Sequence, residues 1–262
     1  MSVAYSDEVA TLHTGDALAV LRTLGDDSVD AVVTDPPYSS GGMVRGDRTQ
    51  RTRTKYVSTS VTEAAADFTG DNRDQRAYGY WCALWLGEAL RITRSGGVCL
   101  LFTDWRQLPT TTDALQAGGW VWRGIVPWLK PNARPTAGRF ANAAEYVVWG
   151  SNGPMGLDFR DACLRGYFHA SPPREREHQT QKPVDVLREL VGIAPAGGVV
   201  CDPFMGSGTT GVAAVLERRR FLGVEQLPHY VRVAQRRIQQ AQLRAVDHGD
   251  QTALPFDGTE AA

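Results

Sequence analysis

The sequence predicts an α/β fold: a doubly wound, mostly parallel sheet of the Rossmann-like kind. Three observations point there. Short β-branched runs alternate with segments of helical period, the pattern of strand–helix–strand units. One run, Val199-Val200-Cys201, leads into Gly206-x-Gly208-x-x-Gly211 and then a helix, the order found in ligand-binding turns of such sheets. Another, Val29 to Thr34, stops at Asp35-Pro36-Pro37-Tyr38, because neither proline can donate a ladder hydrogen bond.

Each element has its own signal. Ala10 to Thr14 reads as a strand, followed by Gly15 and by Asp16 as the N-cap of a helix through Leu24. Asp16 also stands at a strand end, so cap and ligand contact are both open to it. Gly25-Asp26-Asp27 breaks the helix before Val29 to Thr34. Ala77 to Arg94 is a helix with an aromatic and leucine stripe, which reads as core or subunit contact rather than a base-stacking platform. Val98 to Phe102 is a buried strand. Trp105 to Gln116 is a helix interrupted by Pro109. Trp120 to Trp128 and Ala144 to Trp149 are strands around a loop, Lys130 to Arg139. Pro183 stands at the first position of a helix through Ile193. After the glycine-rich turn a helix runs to Glu217, Phe221 to Val224 is a strand, and Pro228 to Arg244 is a closing helix.

Residues 1–246 therefore read as one domain. The stretches 41–76 and 150–179 are insertions, and 247–262 is an acidic, disordered tail. Hydrophobic content of 42% supports a full core. No apolar run reaches membrane-span length and the first ten residues lack a signal pattern, so a soluble, intracellular protein is expected. The four cysteines are scattered, which suggests neither a metal site nor a disulfide framework. Net charge is −1, but the segment from Ala245 onward holds four acids and no lysine or arginine; without those four the balance is +3. Arg45, Arg48, Arg51, Arg53 and Lys55 crowd the first insertion, a pattern suited to a polyanion or to a solvated loop. The second insertion interleaves Arg160, Arg165, Arg174 and Arg176 with Phe159, Tyr167, Phe168 and His169.

Two constellations carry the chemistry. Asp35-Pro36-Pro37-Tyr38 is a stiff elbow at the carboxyl end of a strand, where open sheets bind ligands. An ionised carboxylate only accepts hydrogen bonds, so Asp35 with a nearby main-chain carbonyl suits a planar amino group, and Tyr38 can stack on its ring. In the second constellation, Glu225 ends a strand nineteen residues after Gly206, placed to accept both hydroxyls of a ribose. The pattern alone admits NAD. Asp202 at the strand end argues for a cationic ammonium over a pyrophosphate, and so for S-adenosyl-L-methionine.

Taken together, the chain resembles the β-class amino-methyltransferases of DNA. The resemblance rests on Gly15-Asp16-Ala17-Leu18, Asp35-Pro36-Pro37-Tyr38, Gln181-Lys182-Pro183, Asp202-Pro203-Phe204-Met205-Gly206-Ser207-Gly208-Thr209-Thr210 and Gly223-Val224-Glu225. It implies a methyltransferase sheet with circularly permuted motif order. It implies that Asp16, Lys182, Asp202, Phe204, Gly206, Ser207, Gly208 and Glu225 bind S-adenosyl-L-methionine, and that Asp35, Pro36, Pro37 and Tyr38 hold the target base. His178, beside Gln181, is expected to be structural. Double-stranded DNA is the implied partner, with the base flipped out of the duplex; no membrane and no metal are involved, and the aromatic helix leaves room for a homodimer. Asp at the first position of the elbow leans to adenine N6, with cytosine N4 as the alternative. RNA or protein amine methylation, an NAD-dependent oxidoreductase and a non-catalytic DNA-binding module are the remaining readings. The segment from Trp149 to His178 is short for a dedicated recognition domain, which implies modest sequence specificity or a share for the first insertion.

Overall fold

The computed structural model describes residues 2–37, 73–131, 133, 137–138, 140–156, 163–171 and 182–247. Tyr38, the basic run from Arg45 to Lys55, Phe159, Arg160, Arg174, Arg176, His178, Gln181 and the tail from His248 lie outside them.

Among the described residues, nine strands form one sheet. In chain order they are β1 (Ser2–Ser6), β2 (Ala10–Thr14), β3 (Val29–Thr34), β4 (Thr93–Thr103), β5 (Val121–Leu129), β6 (Ala144–Ser151), β7 (Phe168–His169), β8 (Val199–Asp202) and β9 (Arg220–Glu225). The helices are α1 (Ala17–Leu21), α2 (Gln75–Ile92), α3 (Leu108–Ala117), α4 (Val184–Val191), α5 (Thr209–Leu216) and α6 (Pro228–Asp247). Across the sheet the strands run β1-β2-β9-β8-β3-β4-β6-β5-β7. The five from β2 to β4 are mutually parallel, whereas β6 runs antiparallel to both β4 and β5.

The winding reverses between β8 and β3. From β8 the chain moves one way, to β9; from β3 it moves the other way, to β4. A crevice opens outside the carboxyl ends of strands at such a switch point. Both constellations therefore end in one place, although they lie far apart in sequence.

Side chains alternate across the central strands and build two cores. Ala31 and Val33 of β3, Val98, Leu100 and Phe102 of β4, and Val200 of β8 pack with α4, α5 and α6. Val32, Cys99, Leu101 and Cys201 face the other way, with α1, α2 and α3. Two buried faces explain why these strands read as unbroken apolar runs. Asp30 locks the central pair: its Oδ2 accepts from the Val199 amide at 2.7 Å, and its Oδ1 lies 2.5 Å from Arg94 Nε.

Several local expectations change. Pro109 opens α3 instead of interrupting it, since a first-turn position loses no hydrogen bond. Pro183 is the N-cap of α4, and the helix ends at Val191, two residues short of the expected Ile193. Gln75 and Arg76, assigned to the first insertion, belong to α2, whose cap Asp74 accepts from the Gln75 amide. The second insertion contributes β7, which pairs with β5 and is held by Trp128 Nε1 donating to the Ala170 carbonyl at 2.9 Å. Strand β1, for which no element was expected from the sequence, covers the outer edge of β2. Among the described residues no helix is long and apolar enough to cross a membrane, and no group of His, Cys, Asp and Glu is placed to hold a metal ion.

Candidate active site

Asp35 follows β3 directly, and the elbow holds it there, with Pro36 buried and Pro37 half-buried. Its side chain keeps 23% of its exposure. Oδ2 accepts from Lys182 Nζ at 2.5 Å. Oδ1 is buried and accepts from no described residue. Burial pushes the Asp35 carboxyl above its ordinary range, and the Lys182 ammonium pulls against that rise.

Lys182 marks a departure from expectation. The resemblance put it in the cofactor pocket; the structure seats its ammonium, 7% exposed, between Asp35 and Glu145, with Glu145 Oε2 3.4 Å away. Glu145 also pairs with Lys130, the residue after β5. Burial alone would raise Glu145, but Lys182 and Lys130 together hold it below the usual glutamate range. Burial alone would lower Lys182, yet Asp35 and Glu145 keep it above the usual lysine value. Glu145 and Lys130 were missed in the sequence, although an acid inside the apolar run Ala144 to Trp149 needs a buried partner.

The glycine-rich turn sits beside this group, at the end of β8. Asp202 is 2% exposed. It faces inward: its Oδ1 accepts from Thr34 Oγ1 at 2.6 Å and from the Phe204 amide at 3.0 Å, tying β8 to β3. Burial lifts its carboxyl to about 6. So Asp202 sets the spacing of the two strand ends, where the sequence suggested an ammonium ligand. Phe204 lies against α2, its ring centroid 5.3 Å from Trp81 and 5.0 Å from Trp85. The aromatic stripe of α2 is thus core at Tyr78 and Trp85, and at Trp81 it backs the turn.

The three turn residues split by direction. Gly206 has φ +50° and open space where a Cβ would stand. Ser207 and Gly208 turn toward α6. Arg237 Nη1 donates to the Ser207 carbonyl at 2.6 Å and to Ser207 Oγ at 2.9 Å, while a Cβ on Gly208 would lie 2.7 Å from that of Ala234. Glu225 ends β9 and accepts from the Gly206 amide at 3.2 Å and the Leu227 amide at 2.8 Å; burial raises its carboxyl. Thr14 and Glu225 are register partners, and so Asp16, exposed and capping α1 through Ala19, flanks Glu225.

The site thus offers a hydrogen-bond acceptor at one strand end and an open glycine turn with two carboxylates at its neighbours. A model of the DNA methylase family matches residues 29–160 and 159–236. The chain belongs to that family. The methylase is 26% identical over 261 residues to the type II methyltransferase M.HinfI of Haemophilus influenzae, a match covering 90% of this chain and 70% of that protein. It is 23% identical over 252 residues to the type II methyltransferase M2.MboI of Moraxella bovis, covering 88% of each. Its fold is shared with M1.HpyAVI in a complex with SAM, at a TM-score of 0.63 and 22% identity over 87% of this chain and 98% of that one. It is shared also with the cytosine-N4-specific PvuII DNA methyltransferase, at 0.67 and 18% over 94% and 95%.

Proposed function

We propose that this methylase moves a methyl group from S-adenosyl-L-methionine to the exocyclic N6 of an adenine turned out of double-stranded DNA, and that residues 1–246 form the catalytic domain. The observation that carries the reading is the buried Oδ1 of Asp35, which has no hydrogen-bond partner among the described residues and stands at the strand end next to that of Asp202. The chain's residues suit the donor. Gly206 leaves open space for it, and the Glu225 carboxylate, which accepts from the main chain of Gly206, Gln226 and Leu227, has a further lone pair for a ribose hydroxyl. Asp16 and the Phe204 ring flank the same turn.

The donor, when bound, supplies an electrophilic methyl on a sulfonium. Asp35 Oδ1 and the Pro36 carbonyl accept the two amino hydrogens of the base. That arrangement favours a pyramidal nitrogen with its lone pair turned to the methyl, held at about 3–3.5 Å. The donor would yield its methyl to that nitrogen and leave as a neutral thioether, keeping the sulfur–carbon electron pair. The nitrogen then carries one proton too many, which Asp35 accepts and passes to water. Eversion of the base costs a few kcal/mol, and stacking on Tyr38, worth about 1–3 kcal/mol, offsets much of it.

Asp at the head of the elbow leans the reading to adenine, as the family resemblance implies; the shared fold of a cytosine-N4 enzyme is compatible with either base. The type II relatives lend the reading a restriction-modification setting, in whatever compartment holds the DNA. Self-association through α2, where Tyr80 is 71% exposed, belongs to the same proposal. The test is incubation of the purified protein with labelled donor and plasmid DNA, followed by nucleoside mass spectrometry. N6-methyladenine is the expected product. N4-methylcytosine alone would move the target to cytosine, and unmodified DNA would end the reading.

A further inference from the structure

Asp35 is one end of a largely shielded row of four charges, with Lys182 buried and Asp35, Glu145 and Lys130 half-buried. Lys182 Nζ touches Asp35 Oδ2 at 2.5 Å and lies 3.4 Å from Glu145 Oε2, and the other oxygen of Glu145 is paired with Lys130. The four residues come from separate places: the end of β3, the approach to α4, β6, and the end of β5. Two anions and two cations make the row neutral as a whole, which is what allows it to be buried. Oδ2 of Asp35 takes the Lys182 bond. Two oxygens of the row, Asp35 Oδ1 and Glu145 Oε2, accept no hydrogen bond from a described residue; Glu145 Oε2 has the Lys182 ammonium 3.4 Å away, and Asp35 Oδ1 stands at the strand end.

We infer that Lys182, Glu145 and Lys130 are positioning residues for methyl transfer: Lys182 holds the Asp35 carboxylate in one orientation with a single oxygen free, and Glu145, anchored by Lys130, draws off part of the Lys182 charge so that the free oxygen stays a strong acceptor. The inference rests on the reading of Asp35 as the acceptor of the target amine. Lys182 contacting Asp35 alone would bind most of the carboxylate's negative charge and leave Oδ1 a poor partner for a neutral amino group. Glu145 prevents that by competing for the same ammonium. The other titratable groups near Asp35 among the described residues are Asp202 on β8 and Tyr78 on α2, and neither variant below alters them.

The two carboxylate-facing changes have opposite signs. Glu145→Gln removes the anion that competes with Asp35 for Lys182, so Asp35 should titrate lower. Lys182→Met removes the ammonium, so Asp35 should titrate higher. Carbon-13 NMR of aspartate-labelled full-length protein reads this directly, with the Asp35 signal assigned by its loss in Asp35→Asn. Shifts of about one pH unit in opposite directions are expected. In single-turnover methyl transfer to DNA, the acidic limb of the rate profile should move the same way in each variant, while donor affinity stays within about threefold of the wild type. Shifts of the same sign, no shift, or parallel loss of donor binding and rate would overturn the inference. Where Lys182→Met does not fold, the downward shift in Glu145→Gln decides. Variants that show both NMR shifts, beside a wild type that transfers no methyl, would keep the charge row and sink the assigned reaction instead.

Discussion

Asp35→Ala isolates what the acceptor contributes. It should abolish methyl transfer and leave donor affinity within about tenfold, a change under roughly 1.4 kcal/mol. Isothermal titration with the donor beside a transfer assay measures both, and equal losses would remove Asp35 from its place opposite the amine. Glu225→Ala should do the reverse, weakening donor binding first, because its carboxylate ends the strand beside the open turn. Asp202 makes a prediction about pH. Its folded carboxyl titrates at about 6 against an ordinary value of 3.8, so the folded protein holds that proton more tightly than the unfolded chain does. The stability this proton lends is complete below 3.8 and is lost as the pH rises through about 6. Thermal melts should show that component in the wild type and lose it in Asp202→Asn, whose amide oxygen can still accept from Thr34 and Phe204. At this scale the sequence was informative about residue types and poor about their direction. Asp35, Gly206 and Glu225 stand where motif and spacing put them. Lys182, Asp202 and Ser207 sit at the site as well, but their side chains face other protein groups. Spacing along a chain fixes which strand end a residue occupies, whereas the partner it meets there comes from another element: Arg237 of α6 for Ser207, the end of β3 for Lys182 and Asp202.

The glycine-rich turn, as an element, separates fold from function at adjacent alternate positions. Gly206→Ala meets open space and pays only for a left-handed backbone, about 1 kcal/mol. It should melt near the wild type and bind donor poorly, because the methyl group fills the open side. Gly208→Ala meets the Ala234 side chain at 2.7 Å with φ at +79°. It should lose more stability than Gly206→Ala, since α6 must move to make room. Circular dichroism melts of the two variants, with donor titrations, check the contrast. Elements of this length were legible because each carries its own period, cap or breaker, as with Asp16 at α1 and the double proline after β3. The two-residue β7 was not, because a pair of residues has no period and owes its place to β5.

For the whole molecule, the sheet's two cores are not equivalent for function. The face carrying α2 holds Trp85, fully buried and edge-on to Phe204 at 5.0 Å. Trp85→Ala should cost about 3–5 kcal/mol, a large share of a typical folding free energy of about 5–15 kcal/mol, measurable by urea denaturation. It should also loosen the glycine turn. The fold class was readable from alternation of elements and from two strand-end motifs. The reversal of winding between β8 and β3, which makes those motifs neighbours, follows from the strand order. That order has a consequence during synthesis. Thr34 meets Asp202 across 168 positions of sequence, and Asp35 meets Lys182 across 147. A ribosome must deliver the chain past Asp202 before the two strand ends can meet, so a stop codon ahead of β8 leaves a fragment in which this site cannot form.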